Sequence, residues 1–459
     1  MRRQANACDP RAAALQVIRD TEGGEDLQQA LNRLLSRSPH TPQDRHLCTQ
    51  ICYGYFRYKG RLEFILGRYI QRKWRKLPRP MTRALGLAAY ELLFLDRVPQ
   101  YATVSWYVRY INRKTSKQLA GVANAVLRRL ADSEGDALHD PEFFAEAGND
   151  AALFLSRWYS CPEWMARLWL AEQGREESEK LLQASLQQPP VGLRINQAMP
   201  EGETVLSGLV QSRECLAELG FGLALTRSPG PFLDELLAKG LVSRQSLAAQ
   251  EALKALKPEG WDEPVWEACA GRGGKTAMLR EMGVEQLWAS DKDMVRLAGL
   301  RSELERLHLP GVPIFCADAS QSFPIRRSPA SLLLDVPCSG LGVISRRPDL
   351  KWKRCPEDVA NLAGLQARML RNAGAALPSK GRIAFMTCTV THQENRNQVQ
   401  RFLRENPDWE MELEWQTESG SRLAEFFYVA SLRRKKVAVQ LYSHDFRSGS
   451  GRQNQTGCL

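Results

Sequence analysis

From about residue 241 the chain changes its hydrophobic period, and that change limits the folds open to it. Five short apolar runs follow: PVWEACA (264–270), QLWASD (286–291), VPIFCAD (312–318), SLLLDVP (331–337) and RIAFMTCTV (382–390). Runs of this length and composition read as strands. Between the second and third, Leu297, Leu300, Leu304 and Leu307 form one face of a helix. Strands alternating with helices point to a parallel sheet with helices on both faces. Such sheets take ligands outside the C-terminal ends of their strands, so the chemistry belongs at the strand ends.

The N-terminal part reads differently. Residues 11–130 carry helical apolar spacing in ALQVIRD, EDLQQALNRLL, RLEFILGRYIQ and RALGLAAYELLFL, punctuated by Pro78, Pro80 and Pro99. Residues 131–150 are acidic and irregular, as a linker would be; 151–186 are helical again; Gln187–Gln197 turns through two prolines into a strand, and a mixed segment runs to about 240. The expected division is a helical domain at 1–135, a linker with a small α/β subdomain at 136–240 and an α/β domain at 241–446, with a disordered polar tail at 447–459.

A composition of 43% hydrophobic and 25% charged residues excludes a fibrous or wholly disordered chain. The longest apolar run, Leu85–Leu95, contains Glu91 and is too short to span a membrane. No apolar segment follows the arginines of MRRQANACDP, so no secretory leader is read there. Residues 1–130 hold 24 Lys+Arg against 9 Asp+Glu, whereas the remainder holds 39 against 43. Concentrating the basic excess in one block fits an anionic partner such as nucleic acid, or a well-solvated basic surface. The 11 cysteines are odd in number and include no CxxC pair. They form neither a zinc framework nor a disulfide scaffold, so no metal is expected and a reducing, cytoplasmic setting is.

The first strand runs into CAGRGGKT (Cys269–Thr276). A P-loop would need glycine where Cys269 stands, which leaves a nucleoside-cofactor loop or a tight structural turn. A cofactor loop calls for an acidic residue at the end of the next strand to hold ribose hydroxyls, and Asp291 is there; Asp318 ends the third strand. The fourth strand ends in Asp335-Val336-Pro337-Cys338 and the fifth in Thr387-Cys388-Thr389. Two thiols at neighbouring tips beside a cofactor loop suit one reaction. A thiolate adds to carbon 6 of a pyrimidine, making carbon 5 nucleophilic toward an electrophilic methyl group. A carboxyl near ring nitrogen 3 stabilises the developing charge, and a second thiol assists release once the carbon 5 proton has gone. Beyond Gly340, LGVISRRPDLKWKR (Leu341–Arg354) sets five cations around Trp352, which suits an RNA backbone with an unstacked base, or a solvated loop.

These motifs, EACAGRGGKT, ASDKD, CAD, LLLDVPCSGLGVISRRPDLKW and GRIAFMTCTVTHQEN, resemble those of the Sun/Nop RNA cytosine-5 methyltransferases. AAYELLFLDRVPQYATV and LAGVANAVLRRL resemble the NusB-like helical domain that precedes this catalytic domain in RsmB-type bacterial ribosomal RNA enzymes. QPPVGLRIN and VSRQSLAAQ resemble the small RNA-binding segment and the entry to the catalytic core. The resemblance implies a Rossmann-like domain using S-adenosylmethionine. It makes Cys388 the nucleophile, Cys338 the cysteine assisting release and Asp335 a group between cofactor and base. It assigns cofactor binding to Cys269, Ala270, Gly271, Arg272, Gly273, Gly274, Lys275, Asp291, Asp318 and Asp335. Glu267, Gly271 and Arg272 replace the family's Asp, Ala and Pro in that loop, and Arg272 is expected to bring a cation to the cofactor's methionine end. Ser246 stands where the family often has Asp, and the residues around Trp106 depart from the NusB-like pattern.

The reading is therefore a multidomain RNA cytosine-5 methyltransferase acting on a cytosine of small-subunit ribosomal RNA, as a monomer. An RNA-binding assembly factor of the same fold is the alternative. A nucleotide-dependent oxidoreductase would leave both cysteines without a role.

Overall fold

The computed structural model describes residues 9–37, 40–70, 74–133, 140–145, 150–323 and 325–436. The tail at 447–459 lies outside these residues, as do 134–139 and 146–149 of the expected linker. Six helices form the first unit: α1 (Pro10–Glu22), α2 (Leu27–Ser36), α3 (Pro42–Tyr69), α4 (Arg79–Phe94), α5 (Gln100–Lys114) and α6 (Lys117–Asp132). Asp9 caps α1, and Thr41 with Asp44 forms a capping box ahead of Pro42 at the start of α3. Their apolar faces close on one core that includes Ile51, Phe56, Leu85 and Leu127. A carboxylate is buried within it: Glu91 of α4 takes Arg11 of α1 at 2.8 Å and the hydroxyls of Thr103 and Tyr107 on α5. A buried charge persists only when satisfied in this way. Next come α7 (Pro141–Phe144), whose Phe144 enters the same core, α8 (Ala151–Trp158) and α9 (Glu163–Leu186).

A small unit follows, built from β1 (Val191–Ile195), α10 (Gly202–Val210), β2 (Cys215–Leu219), β3 (Gly222–Leu225), α11 (Pro231–Ala238) and β4 (Val242–Arg244). Its strands pair antiparallel in the order β2-β3-β1-β4. Arg194 of β1, buried, reaches over to the third unit and holds Glu281 at 2.9 Å and the carbonyl of Gly274 at 2.6 Å.

The third unit opens with α12 (Leu247–Ala255), capped by Ser246. It continues through β5 (Val265–Ala268), α13 (Gly274–Glu281), β6 (Leu287–Asp291), α14 (Met294–Arg306), β7 (Ile314–Cys316), β8 (Ser331–Asp335), α15 (Leu350–Lys353), α16 (Pro356–Ala376), β9 (Arg382–Thr387), α17 (Arg396–Glu405), β10 (Trp409–Gln416) and β11 (Tyr428–Arg434). The sheet order is β10-β11-β9-β8-β5-β6-β7. β5 to β9 run parallel, and the order reverses between β5 and β8, the point where such sheets bind ligands. Val265, Leu333 and Met386 pack on one face, and Trp266, Leu332, Leu334 and Phe385 on the other. Burial on both faces is why these strands read as unbroken apolar runs.

Two expectations need correcting. The sheet is mixed, because β10 and β11 add an antiparallel edge beside β9. β10 escaped notice because it is an edge strand, WEMELEWQ, with carboxylates at Glu410, Glu412 and Glu414. The second correction concerns Leu341–Arg354, which is neither free for RNA along its length nor a solvated loop. It clasps α3 and the α1–α2 turn. Trp352 Nε1 donates to the Phe56 carbonyl at 2.6 Å, Lys351 Nζ to the Arg57 carbonyl at 2.9 Å and Lys353 Nζ to the Glu25 carbonyl at 2.6 Å. Arg57 donates in return to the Ser345 carbonyl at 2.7 Å. Gly60 makes room for the indole, since a Cβ there would stand 2.8 Å from the Trp352 ring. Burial pulls the Lys351 ammonium down to about 7. Replacing Trp352 by Ala removes both the packing and a hydrogen bond, and should cost about 3 kcal/mol. Urea unfolding of full-length wild type and Trp352→Ala checks this, with a faster proteolytic release of the helical unit expected alongside.

Candidate active site

β5 ends at Ala268, and the chain turns through Cys269–Gly273 into α13. Gly271 and Gly273 have φ of 57° and 84°, the left-handed region that glycine enters without strain. At Gly273 a Cβ would stand 2.7 Å from Leu300 Cγ, so a side chain is excluded there. Gly271 and Gly274 face open space. The carboxylate of Asp291, at the end of β6, accepts the Gly271 N–H at 2.9 Å and the Asp293 N–H at 2.9 Å. It therefore ties the loop to the next strand. Asp318, two residues past β7, accepts from the Ser320 N–H and hydroxyl, which lowers its carboxyl. Ala270 is buried and donates its N–H to the Ser290 carbonyl. Arg272 is exposed, and its side chain lies along Gly299 of α14. The Cys269 thiol is pushed up by burial and then by the charges of Asp335, Asp291, Glu267 and Asp318.

Lys275, in the first turn of α13, pairs with Asp335 at the end of β8 at 2.6 Å. Burial lowers the ammonium, but the charge and hydrogen bond of Asp335 outweigh it, and the net shift is upward. The charge of Cys388 acts on it in the same sense. Beneath the pair lies Glu267, 1% exposed, taking the Thr276 hydroxyl at 2.5 Å. Burial pushes the Glu267 carboxyl up to about 7, against the Thr276 bond and the Lys275 charge.

The two expected cysteines meet. Cys338 Sγ and Cys388 Sγ are 3.3 Å apart, and the Cys388 N–H donates to Cys338 Sγ at 3.4 Å. The hydrogen bond with Cys388 and then burial raise the Cys338 thiol well above its ordinary value.

One residue that holds this pair in place was missed from the sequence. Glu394, fully buried, accepts from the Ser339 N–H at 2.7 Å and the Ser339 hydroxyl at 2.5 Å, beside Cys338. It also accepts from Gln366 at 3.1 Å and from the hydroxyls of Thr389 and Thr391, beside Cys388. One carboxylate thus joins both cysteine loops. Asn395 reinforces it, taking the Thr387 hydroxyl at 2.5 Å and donating to the Thr389 carbonyl at 2.9 Å. The only clue in the sequence is a Glu-Asn pair shortly after Thr-Cys, and no pattern there distinguishes a buried carboxylate from a helix-start one. Arg354 adds a bond from its Nε to the Ser339 carbonyl at 3.0 Å.

Residues 253–444 match the family model for the 16S rRNA methyltransferase RsmB/F, and residues 9–132 match the NusB family. The probable ribosomal RNA small subunit methyltransferase B of Synechocystis sp. is 32% identical over 433 residues, covering 89% of this chain and 92% of that protein. The chain belongs to the RsmB/F family of 16S rRNA methyltransferases. Ribosomal RNA small subunit methyltransferase B of Vibrio cholerae is 33% identical over 410 residues, with 86% and 89% covered. Among solved structures, PH0851 has a TM-score of 0.74 at 19% identity, covering 93% of this chain and 98% of that one. NSun6 from Pyrococcus horikoshii, solved with SFG, has a TM-score of 0.50 at 18% identity, covering 60% and 97%. At such identities the likeness concerns the fold alone. An RsmB/F member is a methyltransferase, so the oxidoreductase reading falls away.

Removing the Glu394 carboxylate leaves the Ser339 N–H and the Thr391 hydroxyl without an acceptor in a buried site, while Gln366 keeps the Pro337 carbonyl and the Ser339 and Thr389 hydroxyls keep each other. Glu394→Ala should therefore lose about 3 kcal/mol of stability. Glu394→Gln, which keeps one acceptor oxygen, should lose less. Denaturant titration of the two variants measures the difference.

Proposed function

We propose that this chain transfers a methyl group from S-adenosylmethionine to carbon 5 of a cytosine in small-subunit ribosomal RNA, with Cys388 bonding to carbon 6. The observation that carries this is the pair of thiols 3.3 Å apart at adjacent strand ends, beside the Lys275–Asp335 ion pair. The residues suit the cofactor: the glycine loop leaves open space over Gly271 and Gly274, Asp291 ends β6, and Asp318 lies two residues past β7. Cys269 to Lys275 with Asp291, Asp318 and Asp335 would hold the cofactor, which when bound supplies an electrophilic methyl group.

The chain's own groups do the rest. Cys388, as thiolate, adds to carbon 6, and the displaced electron pair makes carbon 5 nucleophilic. Asp335, oriented by Lys275, accepts the exocyclic amine N–H, and its charge favours a proton on ring nitrogen 3 as the adduct forms. After methylation water takes the carbon 5 proton, the freed C–H pair restores the carbon 5–carbon 6 double bond, and Cys388 leaves carbon 6 as thiolate with the S–C pair. Cys338 attends this release. Its raised thiol supports that role, because a group held protonated beside Cys388 does not compete as nucleophile. The reading takes one copy of the chain, in the cytoplasm. Units 1–135 and 136–240 contribute RNA contacts and 241–446 the chemistry.

Tritiated S-adenosylmethionine and unmodified small-subunit ribosomal RNA test this. Wild type should label the RNA, and Cys388→Ala should not. Cys338→Ala should leave a protein–RNA adduct on a denaturing gel, because release is blocked. Equal labelling by wild type and Cys388→Ala would refute the assignment.

A further inference from the structure

A cavity of about 820 Å³ opens where the three units meet. One wall is α3 from His46 to Arg57. The second is the turn Gln188–Gly192 ahead of β1 together with Arg244–Ser246 at the end of β4. The third is Val343–Arg347, in the loop that follows Cys338. Neither thiol lines the cavity, whose wall reaches the Cys388 loop through the backbone at Gly342 and Val343. Val343 lines it and packs in the same cluster as Cys388, and the Gly342 N–H donates to the Cys388 carbonyl at 3.0 Å.

Its charge is one-sided. Arg57, Arg244, Arg346 and Arg347 line it against a single carboxylate, Glu425. Glu425 is already engaged by Arg346 at 2.8 Å and by the Ser246 hydroxyl at 2.6 Å. Arg347 pairs with Asp26 but remains about half exposed. Arg244 makes only a long contact of 3.4 Å with Asp234, both side chains lying largely in solvent. Arg57 spends one N–H on the Ser345 carbonyl, and its Nε is buried with no hydrogen-bond partner among the described residues. That Nε is closed off from solvent, so Arg244 and Arg347 are the cations that present charge to an anionic oxygen entering the cavity. Tyr53 lines the same space, with the amides of Gln50, Gln188 and Gln245. An aromatic ring and amides that both donate and accept suit unstacked bases.

We propose that this cavity is a second RNA subsite, which holds a single-stranded segment of the substrate next to the target cytosine. It rests on the functional reading above and extends it. The arginines hold phosphates, and Tyr53 and the glutamines meet the bases. The volume lies within the roughly 300–1,000 Å³ of ordinary ligand pockets, which leaves room for only a nucleotide or two. A duplex, recognised across a wide shallow groove, does not enter a space walled on three sides. Because each unit supplies one wall, the subsite exists only when the clasp at Trp352 holds the helical unit in place.

Arg244 and Gln50 are exposed and outside the clasp, so Arg244→Glu and the double variant Arg244→Glu/Gln50→Glu should fold. The experiment uses full-length protein, small-subunit ribosomal RNA and labelled S-adenosylmethionine. RNA affinity should fall at least tenfold in the double variant, with the loss in KM rather than kcat and unchanged S-adenosylmethionine affinity by calorimetry. The slope of log affinity against log salt should become shallower by about 0.7 for each single-strand phosphate that the variant no longer neutralises. A single-stranded oligonucleotide should compete for the subsite and a perfect duplex should not. Variants with wild-type KM and salt slope would overturn the subsite while leaving the methyltransferase reading intact. Competition by duplex alone would overturn it too. Wild type that neither binds nor labels the RNA would defeat the functional reading, and the subsite with it.

Discussion

The parallel pairing of β8 with β9 is the constraint on which the site depends. Asp335 lies opposite Met386, so both strands end at the same level of the sheet. Three residues beyond Asp335 comes Cys338, and two beyond Met386 comes Cys388. Register alone therefore delivers two thiols to one place. A slip of one residue would send every β9 side chain to the opposite face, and burial on both faces forbids that slip.

Register brings the loops near each other, and Glu394 fixes them. Its carboxylate is shared by Ser339 on one loop and by Thr389 and Thr391 on the other, with Gln366 between. The Gln366 Oε1 has no partner among the described residues, but every oxygen of Glu394 is bonded, and a carboxylate tied to both loops rigidifies the site for a thiol pair working on one base. The loop after Cys338 then serves a second purpose. Its outer stretch clasps α3 through Trp352 and Lys351, so the helical unit and the catalytic loop are parts of one mechanical assembly.

Much of this was legible in the sequence. The four inner strands β5, β6, β8 and β9 are apolar because both their faces are covered, and their tips carry the glycines, aspartates and cysteines that mark the site. The family resemblance rested on those same tips, and the NusB-like one on AAYELLFLDRVPQYATV and LAGVANAVLRRL, which fall on α4 to α6 of the structure. What stayed hidden has physical reasons. β10 alternates carboxylates with apolar residues because it is a sheet edge, and such a pattern is weak beside the inner strands. In Leu341–Arg354 it is Lys351 and Lys353 that reach backbone carbonyls of the helical unit, and composition cannot tell a carbonyl from a phosphate. Glu394 is a buried charge whose partners come from separate segments of the chain, so no local pattern marks it. Asp291 has the position of a ribose ligand, and the structure shows in addition that it braces Gly271.

The account's central claim is a covalent bond between Cys388 and the target ring. The most direct measurement incubates wild type and S-adenosylmethionine with small-subunit RNA whose cytosines are replaced by 5-fluorocytosine. Fluorine at carbon 5 cannot leave as a proton does, so the adduct accumulates and its peptide can be mapped by mass spectrometry. The account predicts a methylated nucleotide attached to the peptide carrying Cys388. Attachment at Cys338, or methylation of ordinary RNA with no adduct on either cysteine, would contradict it.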